Sequence, residues 1–105
     1  MKTIEALTAL TALAQASRLA AFRRLVAAGP EGLTAGRLGK AVKVAPATLS
    51  FHLKALSNAG LVSARQEGRY VRYVASFAAM NGLVDYLSAN CCGGNPQACR
   101  PEAQR

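Results

Sequence analysis

The chain has 105 residues, enough for one domain with a modest core and few enough that self-association would help it bury apolar surface. Thirteen Lys and Arg against five Asp and Glu give a net charge of +8, which points to a polyanionic partner, and the alanine-led hydrophobic fraction without tryptophan points to a lightly packed helical protein. The uncharged run from Ala6 to Ser17 is twelve residues, too short to span a bilayer, and Glu5 breaks a secretory-leader pattern, so the expectation is a soluble, cytoplasmic protein with no membrane partner.

In chain order, Ile4, Leu7, Leu10 and Leu13 recur at steps of three and predict a helix over about 4–14. Ser17 is placed to cap a second helix, SRLAAFRRLVAAG, with Leu19, Phe22, Leu25 and Val26 on one face and Gly29-Pro30 ending it. Thr34 starts a short third helix, TAGRLGKAV, whose two glycines weaken its intrinsic preference, so packing must hold it. A tight turn through Lys43 to Ala45 leads to a longer helix over 46–59, opened by Pro46 and closed by Gly60. Leu49, Leu53 and Leu56 form its buried stripe, which turns Ala47, Phe51, Lys54 and Asn58 outward and sets Thr48 and Ser50 on the flanks. A short helix, a tight turn and a longer helix have the layout of a helix-turn-helix.

The following stretch, LVSARQEGRYVRYVAS, alternates in character and predicts a two-stranded ribbon turning at Glu67-Gly68, with Arg65, Gln66 and Arg69 at its tip and Arg72 lower down. A last helix, FAAMNGLVDYLSAN, sets Phe77, Met80, Leu83, Val84 and Leu87 on one face, and Gly93-Gly94-Asn95-Pro96 then ends helical structure. The expected fold class is mainly α with a small β part (α+β): four helices, a hairpin wing and a fifth helix, a winged helix-turn-helix unit over 1–90 followed by a cysteine-containing tail over 91–105.

Such an arrangement puts the longer helix in the major groove of double-stranded DNA and the hairpin beside it. Between Arg37 and Arg72 seven basic residues meet one acid, Glu67. Thr48, Ser50 and His52 are compact hydrogen-bonding groups for base edges and phosphates, Ala47 and Phe51 suit thymine methyls, and Lys54, Arg65, Gln66, Arg69 and Arg72 suit the backbone. An ordinary amphipathic helix with a core-closing hairpin explains each part singly, but not their order combined with the local charge. A lone histidine beside such a helix suits a phosphate or a packing contact better than a metal.

Three segments, LAQASRLAAFRRL, LSFHLKALSNAGLVSARQEGRYVRY and LVDYLSANCC, make residues 10–92 resemble the ArsR/SmtB family of metalloregulatory repressors, and its arsenic-sensing members in particular. The run SFHLKxLxxAGLVxxxxEGRYxRY carries most of the likeness. The resemblance implies a homodimer, joined through its first and last helices, bound to an inverted repeat before an arsenic-resistance operon and released by inducer. Two family sites are missing. TAGRLGKAVKV lacks the cysteine pair that many members carry before the recognition helix, and SFAAMNGLVDYLSAN offers only Asp85 toward the zinc ligands of the last helix.

All three cysteines, Cys91, Cys92 and Cys99, fall within nine positions, in NCCGGNPQAC. Thiolates select soft ions, and three of them without a histidine leave a tetrahedral site one ligand short. As(III) forms three bonds in a pyramid and suits the set; Sb(III) has the same demand, and methylarsenite needs only two thiols. The Gly-Gly-Asn-Pro segment lets Cys99 fold back on the pair at little cost in chain entropy. Idle thiols, a Cys92 to Cys99 redox pair and a Cd, Pb or Zn sensor on the same fold remain open alternatives. A thiol enzyme is the distant one, since the tail holds no histidine to serve a catalytic cysteine; the expectation is a non-enzymatic chain without an organic cofactor.

Overall fold

A computed structural model of the chain describes residues 1–95. Its elements run α1 (Thr3–Leu13), α2 (Ala16–Ala28), β1 (Leu33–Thr34), α3 (Ala35–Val42), α4 (Pro46–Asn58), β2 (Val62–Glu67), β3 (Tyr70–Ala75) and α5 (Phe77–Ser88), with short 3₁₀ turns at Gly29–Glu31 and Cys91–Gly94. The helix-turn-helix, wing and closing helix therefore stand in the expected order. Where the sequence predicts a two-stranded ribbon, the sheet has three antiparallel strands in the order β1-β3-β2. Leu33 and Thr34 pair with Tyr73 and Arg72, so the wing is stitched to the segment before α3.

Helix starts follow local chemistry. Thr34 accepts the Arg37 amide at 3.4 Å as expected, and Ser76 accepts the Ala79 amide at 3.1 Å. For α2 the cap is Gln15, not Ser17: its side-chain oxygen accepts the Arg18 amide at 2.9 Å, and Ser17 already lies inside the helix. The end of α4 is closed by two bonds, from the Leu61 amide to the Leu56 carbonyl and from the Gly60 amide to the Ser57 carbonyl, each 3.0 Å, which satisfy the last carbonyls and aim the chain into β2.

One core joins these elements. Leu25, Leu38, Leu53, Leu56 and Leu61 are fully buried, with Ala21, Phe22, Leu49, Val62, Ala75 and Leu83 around them. Helix α1 enters this core by an unexpected face. Ala6, Ala9 and Ala12 are buried, their small side chains letting α1 lie close to its neighbours, while Ile4 and Leu7 remain 69% and 55% exposed. The expected face of α5 divides in the same way, since Leu83 is buried and Val84 and Leu87 are exposed. Thr3 Oγ1 and Tyr86 Oη, 2.6 Å apart, tie α1 to α5.

The hairpin turn falls at Gly68-Arg69, one residue later than predicted. Glu67 pairs with Tyr70 across the ladder, and Gly68 takes the positive φ of 61° that the first position of such a turn requires. Glu67 then clamps the wing. Its carboxylate accepts Arg72 Nε at 2.9 Å and Arg65 Nε at 3.0 Å, and Arg72 Nη1 also donates to the Glu31 carbonyl at 3.0 Å. The hydrogen bond from Arg72, aided by Arg65, holds the Glu67 carboxyl below its ordinary value.

Gly32 is buried with φ 61° and ψ −158°, a region open essentially to glycine alone, and a Cβ there would overlap the Tyr73 carbonyl. Gly32→Ala is therefore expected to cost roughly 2–4 kcal/mol in urea unfolding. Gly36→Ala, in an exposed helical position with nothing within 4 Å of the new methyl, should be neutral or stabilising. Equal midpoints for Gly32→Ala and the parent chain would contradict this account. The wing makes a pH prediction. Because the folded-state pKa of Glu67 is depressed, its contribution is present above the unfolded-state value and is lost as pH falls through the lower folded value. NMR titration of the Glu67 carboxyl should give a midpoint below the ordinary carboxylate range, returning toward it in Arg72→Ala.

Candidate nucleic-acid interface

The outward face of α4 follows from its inward one. Leu49, Leu53 and Leu56 sit in the core, so Ala47, Thr48, Ser50, Phe51, Lys54 and Asn58 are all exposed, as the leucine spacing predicts. The turn before it is held by Lys43 in the left-handed region, φ 57°, with the Val44 amide bonded to the Gly39 carbonyl at 3.0 Å. The residue before α4, Ala45, offers no side-chain cap, and Pro46 has no amide hydrogen. The backbone amides of Ala47 and Thr48 therefore open the first turn at the positive end of the helix dipole, a natural seat for a phosphate oxygen. Residue-type reasoning finds these two positions for their side chains and overlooks their amides, although Ala45-Pro46 is the signal.

Of the roles the sequence allows His52, a base-edge or phosphate contact or a packing contact, the structure shows the packing contact. His52 is only 8% exposed and turned into the protein, where its Nδ1 accepts Arg18 Nε from α2 at 3.1 Å. Leucines at 49, 53 and 56 form the buried stripe, and position 52 lies beside 49 and 56 on the helical wheel, which carries it inward with them. Arg18 is the residue that the sequence did not single out. Its guanidinium carbon also stands 5.7 Å from the Phe51 ring centroid. No local pattern joins residues 34 positions apart.

On the wing, Arg65, Gln66 and Arg69 are exposed, and the Gln66 amide donates to the Gly68 carbonyl at 2.6 Å. Arg72, lower on the ribbon, does not stand free for a phosphate. It is half-buried and committed to Glu67 and the Glu31 carbonyl, bracing the wing against the body. Among the described residues Glu67 engages two of the wing's three arginines and leaves Arg69 at the turn. Exposed Lys40 and Lys43 extend the positive surface to α3 and the turn.

At the end of α5, Asn90 and Cys92 both have positive φ, 58° and 52°, and this turn brings the sulfurs of Cys91 and Cys92 to 3.8 Å. Cys99 lies outside the described residues. Among the described residues no three His, Cys, Asp or Glu side chains gather as a metal site. No described helix is long and apolar enough to cross a membrane.

Residues 13–64 match a helix-turn-helix domain model. An uncharacterized HTH-type transcriptional regulator, YceK of Bacillus subtilis (strain 168), is 40% identical over 63 residues, a match spanning 60% of this chain and 61% of that protein. An ArsR-like transcriptional regulator from Rhodococcus sp. RHA1 superposes with a TM-score of 0.70 at 28% identity, covering 81% of this chain and 77% of its own. The homodimeric winged helix-turn-helix domain of Mb0332 from Mycobacterium bovis shares the fold, with a TM-score of 0.66 at 24% identity over 88% of this chain and 85% of its own. These relatives are regulators, not enzymes, in line with the non-enzymatic expectation. Domain model and fold together give the chain a helix-turn-helix domain with the winged architecture of these structures, an ArsR-like regulator among them.

Proposed function

We propose that the chain is a transcriptional repressor that binds an inverted-repeat operator in double-stranded DNA as a homodimer and is released when trivalent arsenic is captured by Cys91, Cys92 and Cys99. The observation that carries the DNA-binding part is the outward face of α4, small polar and apolar side chains around an uncapped, Pro-opened N-terminus, standing on the same chain as a basic wing.

The dimer reading is supported by the apolar faces of α1 and α5, which the protomer leaves uncovered: Ile4, Leu7 and Leu10 on one, and Val84 and Leu87, the latter 62% exposed, on the other. A small domain with this much apolar side chain in water gains most by pairing. Dimerisation through α1 and α5 would set the distance between two copies of α4, and DNA requires them about 34 Å apart along the duplex.

The sensing reading is supported by the turn that follows α5. An ion with bonds of about 2.3 Å to two sulfurs, and an angle of about 90–110° between them, holds those sulfurs roughly 3.3–3.8 Å apart, and the Cys91 and Cys92 sulfurs stand at 3.8 Å. Arsenous acid would exchange its hydroxyl groups for thiolates one by one, releasing a water each time, with Cys99 supplying the last sulfur. Reordering the end of α5 would then disturb the dimer geometry that DNA binding needs. A coupling of about 1.4 kcal/mol is already a tenfold change in operator affinity.

Fluorescence anisotropy of a labelled duplex from upstream of the gene, with reduced protein, tests the whole reading. Lys54→Gln should weaken binding and flatten the salt dependence by about 0.9 in log–log slope, the amount due to one phosphate. Leu7→Glu should convert the dimer to a monomer by light scattering and abolish tight operator binding. Cys91→Ser should bind the duplex as the parent does but no longer be released by arsenite. Binding that ignores arsenite yet yields to peroxide would move the cysteines to a redox role, and absence of duplex binding would remove the repressor assignment.

A further inference from the structure

We infer that Arg18 is a positioning residue of the DNA-reading face, holding the Phe51 ring in place from α2 through a contact that His52 anchors. The inference rests on the DNA-binding reading above and adds to it a residue outside the helix-turn-helix pair α3 and α4.

Phe51 and His52 are neighbours in α4 and point about 100° apart around the helix. Phe51 is 66% exposed, whereas His52 is buried. Arg18 meets both. Its Nε donates to His52 Nδ1 at 3.1 Å, and its guanidinium carbon lies 5.7 Å from the Phe51 centroid, within the range of a cation–π contact. The two rings complete the triangle, edge to face with centroids 5.7 Å apart and planes at 67°. A guanidinium has donors only, so in this contact Nδ1 is the acceptor. Arg18 is itself fixed at its root, because its amide donates to the Gln15 side chain that caps α2.

An exposed aromatic ring on a recognition helix ordinarily loses rotamer freedom when it docks. Here that freedom is already limited by a half-buried arginine whose own position is set by a helix cap and a buried acceptor. The gain is specific to partners the Phe51 ring can touch, such as a thymine methyl in the major groove, and absent from generic phosphate binding. Lysine would not substitute, since a hydrated point charge cannot donate from a planar fork and lie against a ring at once.

The test uses the full chain, the upstream duplex and a scrambled duplex of the same length across a salt series, together with NMR of the Phe51 side chain in DNA-free protein. Arg18→Met should weaken binding to the upstream duplex about tenfold, leave the scrambled duplex and the salt slope unchanged, and release the Phe51 ring to rotamer averaging. Arg18→Lys should fail to restore either property. In a Phe51→Ala background Arg18→Met should add little, because the two residues act as one unit. Equal losses on both duplexes with a slope reduced by about 0.9 would overturn the inference and make Arg18 a phosphate contact. A lowered melting temperature with unchanged ring order and unchanged affinity would also overturn it, leaving Arg18 to packing alone. Should the parent chain bind neither duplex, the DNA reading fails, and the ring order in DNA-free protein still decides whether Arg18 positions Phe51.

Discussion

Burial of Leu49, Leu53 and Leu56 in one cluster with Leu25, Leu38 and Leu61 is the constraint on which the rest of the molecule depends. Once those three side chains face inward, the helical repeat leaves no choice about the other side: Ala47, Thr48, Ser50, Phe51 and Lys54 must look outward. The bonds that Leu61 and Gly60 make to the end of the same helix then send the chain into the wing at a fixed angle. A rotation of α4 by one residue would bury Lys54 or expose a leucine, at a cost comparable to much of a small domain's stability. The putting of chemistry on one surface is thus a by-product of packing on the other.

Charge on this surface is restrained as well as supplied. Glu67 is the one acid among the basic residues between Arg37 and Arg72, and it spends itself on Arg72 and Arg65. Arg72 in turn reaches the Glu31 carbonyl, so the wing is braced to the turn after α2 by both a strand pairing and a guanidinium. The price is two arginines whose charge is partly answered before any partner arrives. What the wing gains is a defined orientation, which free arginines on a two-stranded ribbon would not have.

Much of this was legible in the sequence because it is local. The leucine spacing of α4, Pro46 at its start, Gly60 after its end and Thr34 before α3 all act through neighbours within a turn or two, and the structure places them as their chemistry directs. The misses are the features that depend on distant or external partners. In α1 two apolar stripes run in parallel, one of alanines and one of Ile4, Leu7 and Leu10, and nothing in the spacing says that the smaller one packs inward and the larger one is left uncovered. The two-residue strand β1 exists only because β3 lies beside it. Arg72 was read by residue type as a surface contact and His52 was left between a DNA contact and a packing one, and each is claimed by a partner far along the chain, the Glu31 carbonyl for one and Arg18 for the other. Cys91 and Cys92 were recognised as a pair, but their approach to 3.8 Å depends on two left-handed residues, Asn90, whose type tolerates that region, and Cys92, whose type does not favour it.

The measurement that bears most directly on this account is an amide chemical-shift map of the isotope-labelled chain on addition of a duplex from upstream of the gene. The account predicts the largest changes from Ala47 through Lys54, counting the open amides of Ala47 and Thr48, and at Arg65, Gln66 and Arg69, with the outer faces of α1 and α5 unmoved. Changes centred on α1 and α5 with α4 silent, or no change at any concentration of duplex, would contradict it.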